Sequence, residues 1–342
     1  MRPSQIVQSV VHLVKNRRPG MFWGPPGVGK SELIRLAADL LFGDEDSKGL
    51  SEVPYFRDIR AILLDPVDLR GLPSVHNGVT TWNTPDFLPT DGEGILFLDE
   101  LTAAPVMVQG ALYQLVLDRK IGDYTLPEGW HIIAAGNREG DGAVSNRMPT
   151  ALRNRFVHVT VEANVEDWLQ WANTHDVAPE VYSFIRQHAN LLHDFEKNRN
   201  DHAFPTPRSW KFVSDILQDG GVGNREIEHE LIEGTVGKGA AVEFSAYLRM
   251  YRDLPPIDEI FANPMRIKIP TNAATIYAMA AAVSRFITVA NIDQGLKFLD
   301  RLAPEFNIMA VSDAVRRDAK LKTTKAVHTW ALKNHPILIQ AQ

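Results

Sequence analysis

Residues 24–31 read GPPGVGKS, which fits G-x-x-x-x-G-K-[ST] in full. Glycines in such a loop let backbone N–H groups turn inward around phosphate oxygens, and the helix that follows adds a favourable dipole. Lys30 then reaches the β- and γ-phosphates, and the Ser31 hydroxyl binds Mg²⁺. The candidate nucleotide-binding residues are Gly24, Pro25, Pro26, Gly27, Val28, Gly29, Lys30, Ser31 and Glu32. A second stretch, ILFLDE at 95–100, is four apolar residues ending in two carboxylates. Hydrolysis needs one carboxylate neutralised by metal and another free to accept a proton. Asp99 suits the metal shell, and Glu100 suits activation of the attacking water. The bland alternative is a strand followed by a carboxylate-capped helix start. A third stretch, HIIAAGN at 131–137, ends in Asn137. At a strand end beside the γ-phosphate, Asn137 can hold that water, although asparagine there is often only a turn residue.

Such residues need a scaffold that brings strand ends together. MFWG (21–24) precedes the glycine-rich loop and KSELIRLAADLLF follows it, which is the strand–loop–helix context the motif requires. AILL (61–64), GILFLDE (94–100), HIIAAGN and VHVTV (157–161) read as further strands, separated by helical patterns. ELTAAPVMVQGALYQLV reads as a helix after the acidic strand. The expected fold class is α/β, with a parallel sheet covered on both faces over residues 1–162. NG at 77–78 marks a hairpin turn within an insertion over 68–89. Residues 163–252 turn helical, with EVYSFIRQHANLLHDF and PRSWKFVSDILQ among the helices. LPP (254–256) and ANP (262–264) then punctuate the chain before a helical C-terminal region over 253–342.

Composition narrows the classes. The 342 residues are 44% apolar and 23% charged, with a net charge of −6. That acidic balance argues against a purely electrostatic grip on nucleic acid. No cysteine is present, which removes disulfides, thiolate metal sites and a cysteine nucleophile and fits a reducing cytosol. The first twenty residues read as an amphipathic helix, not a signal peptide, and no apolar run approaches the roughly 20 residues of a membrane span. A cytoplasmic protein is expected.

GPPGVGKS, ILFLDE, AAGN and ALRNRF (151–156), in that order, resemble an AAA+ ATPase. The inserted hairpin, a further hairpin over RKIGDYTLPEGWHII (119–133) and the helix after the acidic strand are similar to the MoxR-like family of such enzymes. The resemblance implies a P-loop αβα sandwich, a helical lid over 163–252, ATP and Mg²⁺ as cofactors, and a ring-forming homo-oligomer, most often a hexamer. It also implies that an arginine before the last strand serves the neighbour's ATP in trans, a contribution worth about 10³–10⁵ in rate. Arg155 matches the family arginine, and Arg153 is an additional candidate. Arg147 is a weaker one. The alternative for each is a surface arginine at a helix C-terminus. Arg208, in PTPRSWKFV, is similar to the lid arginine that touches the γ-phosphate. At a helix start it is unfavourable to the dipole, which makes a functional role more attractive. The family more often carries AT-Q-NP where this chain has AAGNRE, and LLDRF where it has ALRNRF. The implied output is remodelling, assembly or activation of a client protein, with a von Willebrand factor A protein as a partner. Residues 253–342 are not assigned by the resemblance.

Other stretches read plainly. HELIE (229–233) has Glu233 where a zinc protease would need histidine, so it is an amphipathic helix. The basic segment 316–325 reads as a solvated helix face. His76 and Trp82 in the hairpin either grip a substrate or pack the hairpin on its own domain. Rival functions are a DNA-acting AAA+ translocase, a nucleotide-gated scaffold with negligible turnover, and a P-loop kinase.

Overall fold

β5 shows why this sheet is parallel and buried: it is apolar at every position from Ile95 to Leu98, a run that only a sheet covered on both faces can accept. The computed structural model describes residues 1–44, 53–138, 141, 146–195, 202–218 and 223–340. Two compact units result, the first being Met1–Asn164 and the second beginning at Val165.

The first unit runs α1 (Pro3–Lys15), β1 (Gly20–Trp23), α2 (Lys30–Phe42), β2 (Phe56–Arg60), α3 (Pro66–Arg70), β3 (Leu72–His76), β4 (Val79–Asn83), β5 (Glu93–Asp99), α4 (Val106–Asp118), β6 (Lys120–Ile121), β7 (Tyr124–Thr125), β8 (Gly129–Gly136), α5 (Thr150–Arg153) and β9 (Val157–Thr160). Five strands form one parallel sheet in the order β2-β5-β8-β1-β9. Ile95 and Phe97 join Phe22, Ile133 and the α2 residue Ile34 in one core. Leu96 and Leu98 point the other way, to Met21, Ile132 and the α4 residue Leu112. Alternate residues of each strand thus supply two cores, as the two-residue period of a strand requires.

Three sequence expectations shift. AILL is not a strand: β2 is FRDIR, and Ala61–Leu63 form a 3₁₀ turn. β2 lies at the sheet edge, where it buries Phe56 and Ile59 and leaves its polar residues outward, while Leu63 is 74% exposed. The turn delivers the chain to Asp65, which caps α3 reciprocally with Asp68. The helix after the acidic strand starts at Val106, not at Glu100. Pro105 disfavours helical backbone in the residue before it, so the helix begins after it. The run 180–195 stops being α-helical at Gln187, and a 3₁₀ turn follows at Ala189–Leu191.

The inserted hairpin is present as β3 and β4. Asn77 and Gly78 both have positive φ, 51° and 79°, as a two-residue primed turn demands. Ser74 is half-buried and every other residue of both strands is exposed, Trp82 among them at 39%. Gly71 closes the base: with φ of 79°, a Cβ there would lie 1.9 Å from the Asn83 carbonyl oxygen. β6 and β7 form the second, shorter hairpin.

The second unit is helical: α6 (Val165–Ala172), α7 (Pro179–Gln187), α8 (Pro207–Gln218), α9 (Arg225–Val236), α10 (Lys238–Arg252), α11 (Ile257–Ala262), α12 (Ala273–Phe286), α13 (Ile292–Leu299), α14 (Pro304–Arg317) and α15 (Lys325–Gln340). It has two cores, one around Phe184, Trp210 and Phe244, the other around Phe298, Val311 and Trp330. α12 joins them, with Ala278 in the first and Met279 and Val283 in the second. Both cores lie in one compact unit, which takes in Val165–Asp194 and Asn200–Gln342. Among the described residues no helix is long and apolar enough to cross a membrane.

Candidate nucleotide site

The glycine-rich loop leaves β1 and enters α2 at Gly29, whose φ of 84° only glycine adopts without strain. No side chain hydrogen-bonds as a cap to α2, whose N-terminal dipole end faces the glycine-rich loop. The Lys30 ammonium donates to the carbonyl oxygens of Gly24 (2.7 Å) and Pro25 (2.9 Å) and to Asn137 Oδ1 (3.1 Å). Ser31 Oγ donates to Asp99 Oδ2 at 2.7 Å, and the Glu100 N–H donates to Asp99 Oδ1 at 2.9 Å. Lys30, Ser31, Asp99 and Asn137 thus converge at the carboxyl ends of three adjacent strands, β1, β5 and β8, where parallel sheets bind ligands.

Local backbone holds this arrangement. Glu100 has φ of 54°, a left-handed conformation uncommon outside glycine, and its side chain is exposed just past β5. Leu101 N–H donates to the Ala135 carbonyl at 3.0 Å, and Thr102 Oγ1 donates to the Asn137 carbonyl at 3.2 Å. These bonds fasten the turn after β5 onto the end of β8. Gly136 makes room for it, since a Cβ there would meet Thr102 Oγ1 at 2.6 Å.

Asp58 on β2 is a carboxylate near the site that sequence reading did not single out. Its side chain is exposed at the sheet edge; partial desolvation and the carboxylate of Asp99 raise its carboxyl above the ordinary range, against the pull of Arg60 and Arg35. Its only sequence signal was a polar residue upstream of AILL, and register alone sets it on the strand beside Asp99. Ser31 and Asp99 offer the hard oxygen donors that Mg²⁺ takes. No cluster of three or more His, Asp or Glu side chains placed to hold a metal occurs among the described residues.

The arginines lie elsewhere. Leu152 and Phe156 are buried in the core, which leaves Arg153, Asn154 and Arg155 exposed on the turn between α5 and β9. β9 runs parallel to β1 with Val157 opposite Gly20 and Thr160 opposite Trp23. The glycine-rich loop follows Trp23 and Arg155 precedes Val157, so the two lie at opposite ends of the β1–β9 pair. No hydrogen bond or ion pair of the Arg155 side chain occurs among the described residues. Arg147 is likewise exposed. Arg208 occupies the exposed first turn of α8, in the second unit. It is set there by Thr206 and Ser209, which bond each other's N–H groups through their hydroxyls at 2.7 and 3.0 Å.

A parallel αβα unit with a P-loop and an acidic neighbouring strand defines a nucleotide-binding domain of the P-loop class. Residues 20–156 match the AAA domain (dynein-related subfamily), a span that holds the P-loop, Asp99, Glu100, Asn137 and both turn arginines. Over that span the first unit has the AAA+ fold. No curated protein matches the chain. Similar solved structures include NtrX from Brucella abortus in complex with ATP, at 14% identity and a TM-score of 0.42, covering 96% of this chain and 67% of that one. RuvB from Thermotoga maritima is similar at 16% identity and a TM-score of 0.40, covering 82% of this chain and 80% of that one.

Proposed function

We propose that this chain is an Mg²⁺-dependent ATPase of the MoxR-like AAA+ class, working as a ring, most simply a hexamer, that remodels, assembles or activates a client protein. One observation carries the reading. Lys30, Ser31, Asp99 and Asn137 meet at one end of the sheet, while Arg155 is exposed on the turn before β9 at the other end, as an arginine lent to a second copy would be.

Ser31 and Asp99 would hold the Mg²⁺, which neutralises charge on the phosphate oxygens. Lys30 exchanges its loop carbonyls for β- and γ-phosphate oxygens. Asn137, already bonded to Lys30, orients the water, and Glu100 accepts its proton. Arg155 of one protomer stabilises charge on the γ-phosphate held by the next, and Arg208 acts from the helical lid. Arg153 is the alternative donor in trans. A von Willebrand factor A protein is the client that the sequence resemblance suggests.

The test is mass in solution with and without ATP–Mg²⁺ for Glu100→Gln and for Glu100→Gln/Arg155→Ala. The reading expects Glu100→Gln to trap ATP and shift to about six protomers, and the second change to weaken that shift through linkage. Two variants that stay monomeric at saturating ATP would sink it.

A further inference from the structure

His158, on β9, makes two hydrogen bonds whose directions have no alternative. Trp23 Nε1 lies 2.8 Å from His158 Nδ1, and an indole N–H can only donate. His158 Nε2 lies 2.7 Å from the Arg153 carbonyl oxygen, which can only accept. Both bonds form together on the tautomer whose Nδ1 accepts and whose Nε2 donates. Its ring stacks on Trp23 at 5.8 Å and meets Phe156 edge-on at 6.5 Å. The two partners belong to different parts of the machinery. Trp23 is the last residue of β1, directly before the glycine-rich loop. Arg153 ends α5, and its carbonyl begins the turn that carries Arg155.

Leu152 and Phe156 anchor that turn in the core, and its backbone bonds are local ones, such as Arg155 N–H to the Leu152 carbonyl at 3.0 Å. α5 is four residues long, and Asn154 and Arg155 are exposed. A surface cavity of about 490 Å³, lined by Thr150, Ala151, Arg153, Asn154, Phe156 and His158, opens beside it. We infer that His158 is a positioning residue: it ties the arginine turn to the strand that carries the protomer's own P-loop, and so sets the arginine that the protomer lends to its neighbour. This rests on the trans reading proposed above.

Mixed oligomers test it. Glu100→Gln protomers cannot turn over but lend an arginine, whereas Arg155→Ala protomers have an intact carboxylate and none to lend. Mixing them should restore ATP hydrolysis above either alone. Adding His158→Phe, which keeps the stack and removes both hydrogen bonds, to the Glu100→Gln protomer should lower the restored rate about tenfold, as misplacement of a reacting group does. The same change on the Arg155→Ala protomer, whose arginine turn is not used, should alter it by less than about twofold. His158→Gln, which has one donor and one acceptor, should recover most of the rate. Equal loss from either side, or no loss from the lending side, overturns the assignment. Absence of any restoration by the two parent variants overturns the trans reading itself, and this inference with it.

Discussion

Lys30, Ser31, Asp99 and Asn137 each have a partner within the site. The Lys30 ammonium is engaged by two carbonyls and Asn137, so the loop keeps the shape that phosphate needs before phosphate arrives. Replacing Lys30 by alanine removes charge-assisted bonds to nucleotide, and ATP affinity should fall on the order of a hundredfold, read by calorimetric titration. Glu100→Gln should behave differently: binding persists and kcat drops by about 10²–10⁴, since only the proton acceptor is lost. Asp58 does neither job. Because it lies within the field of Asp99, Asp58→Asn should raise the Mg²⁺ concentration for half-maximal turnover several-fold with kcat at saturation little changed. An unchanged Mg²⁺ requirement would remove Asp58 from the site.

Between elements, small residues decide what can approach what. Gly136 lets the turn after β5 lie against β8, and Gly136→Ala would press a methyl on Thr102 and on Met21 Cε at 2.8 Å. Overpacking of that kind costs about 1–3 kcal/mol. The urea midpoint should fall accordingly, together with ATPase activity, because Thr102 and Asn137 shift as one. The hairpin of β3 and β4 is the opposite case. Its residues are exposed almost throughout, Leu72 and Val75 at 71% and 69%, so it contributes little to the core. Replacing residues 72–83 by a short flexible linker should change unfolding free energy by under about 1 kcal/mol. A large loss would mean that the hairpin packs on its own domain, the second of the two readings of Trp82.

The second unit carries its own pH dependence. Arg186 Nε and Asp313 Oδ2 are 3.0 Å apart, with side-chain exposures of 17% and 4%. The deeper partner bears the burial penalty: Asp313 is pushed up from 3.8 to about 6 because burial outweighs the attraction of Arg186. The Arg186 guanidinium moves up as well, its own burial outweighed by Asp313 and by Tyr277 and Tyr182. For an acid raised in the folded state, the contribution to stability is complete below the unfolded pKa near 3.8 and is lost as pH rises through about 6. At 1.36 kcal/mol per pH unit that loss is about 3 kcal/mol. Urea unfolding at pH 4 and pH 7 should show this slope in the parent and not in Arg186→Met/Asp313→Leu. That variant should also be no less stable at pH 7, since apolar pairs often equal buried ion pairs.

GPPGVGKS, ILFLDE and HIIAAGN were readable because a chemical function imposes residue types at fixed local spacing, and because a strand buried on both faces must be a continuous apolar run. The NG turn was readable for a similar reason: few residues accept two successive positive φ values. Edge strands escape that logic. FRDIR is half polar since one side meets solvent, and AILL drew the eye instead. Asp58, the Trp23–His158–Arg153 connection and the Arg186–Asp313 pair are separated by 41, 135, 5 and 127 positions from the groups they meet. Sequence alone set the motif residues and the strand ends that display them. Register across the sheet and packing between helices decided which distant charges became neighbours, and that the turn arginines stand away from their own P-loop, because pairing of parallel strands is a long-range property that no local pattern records.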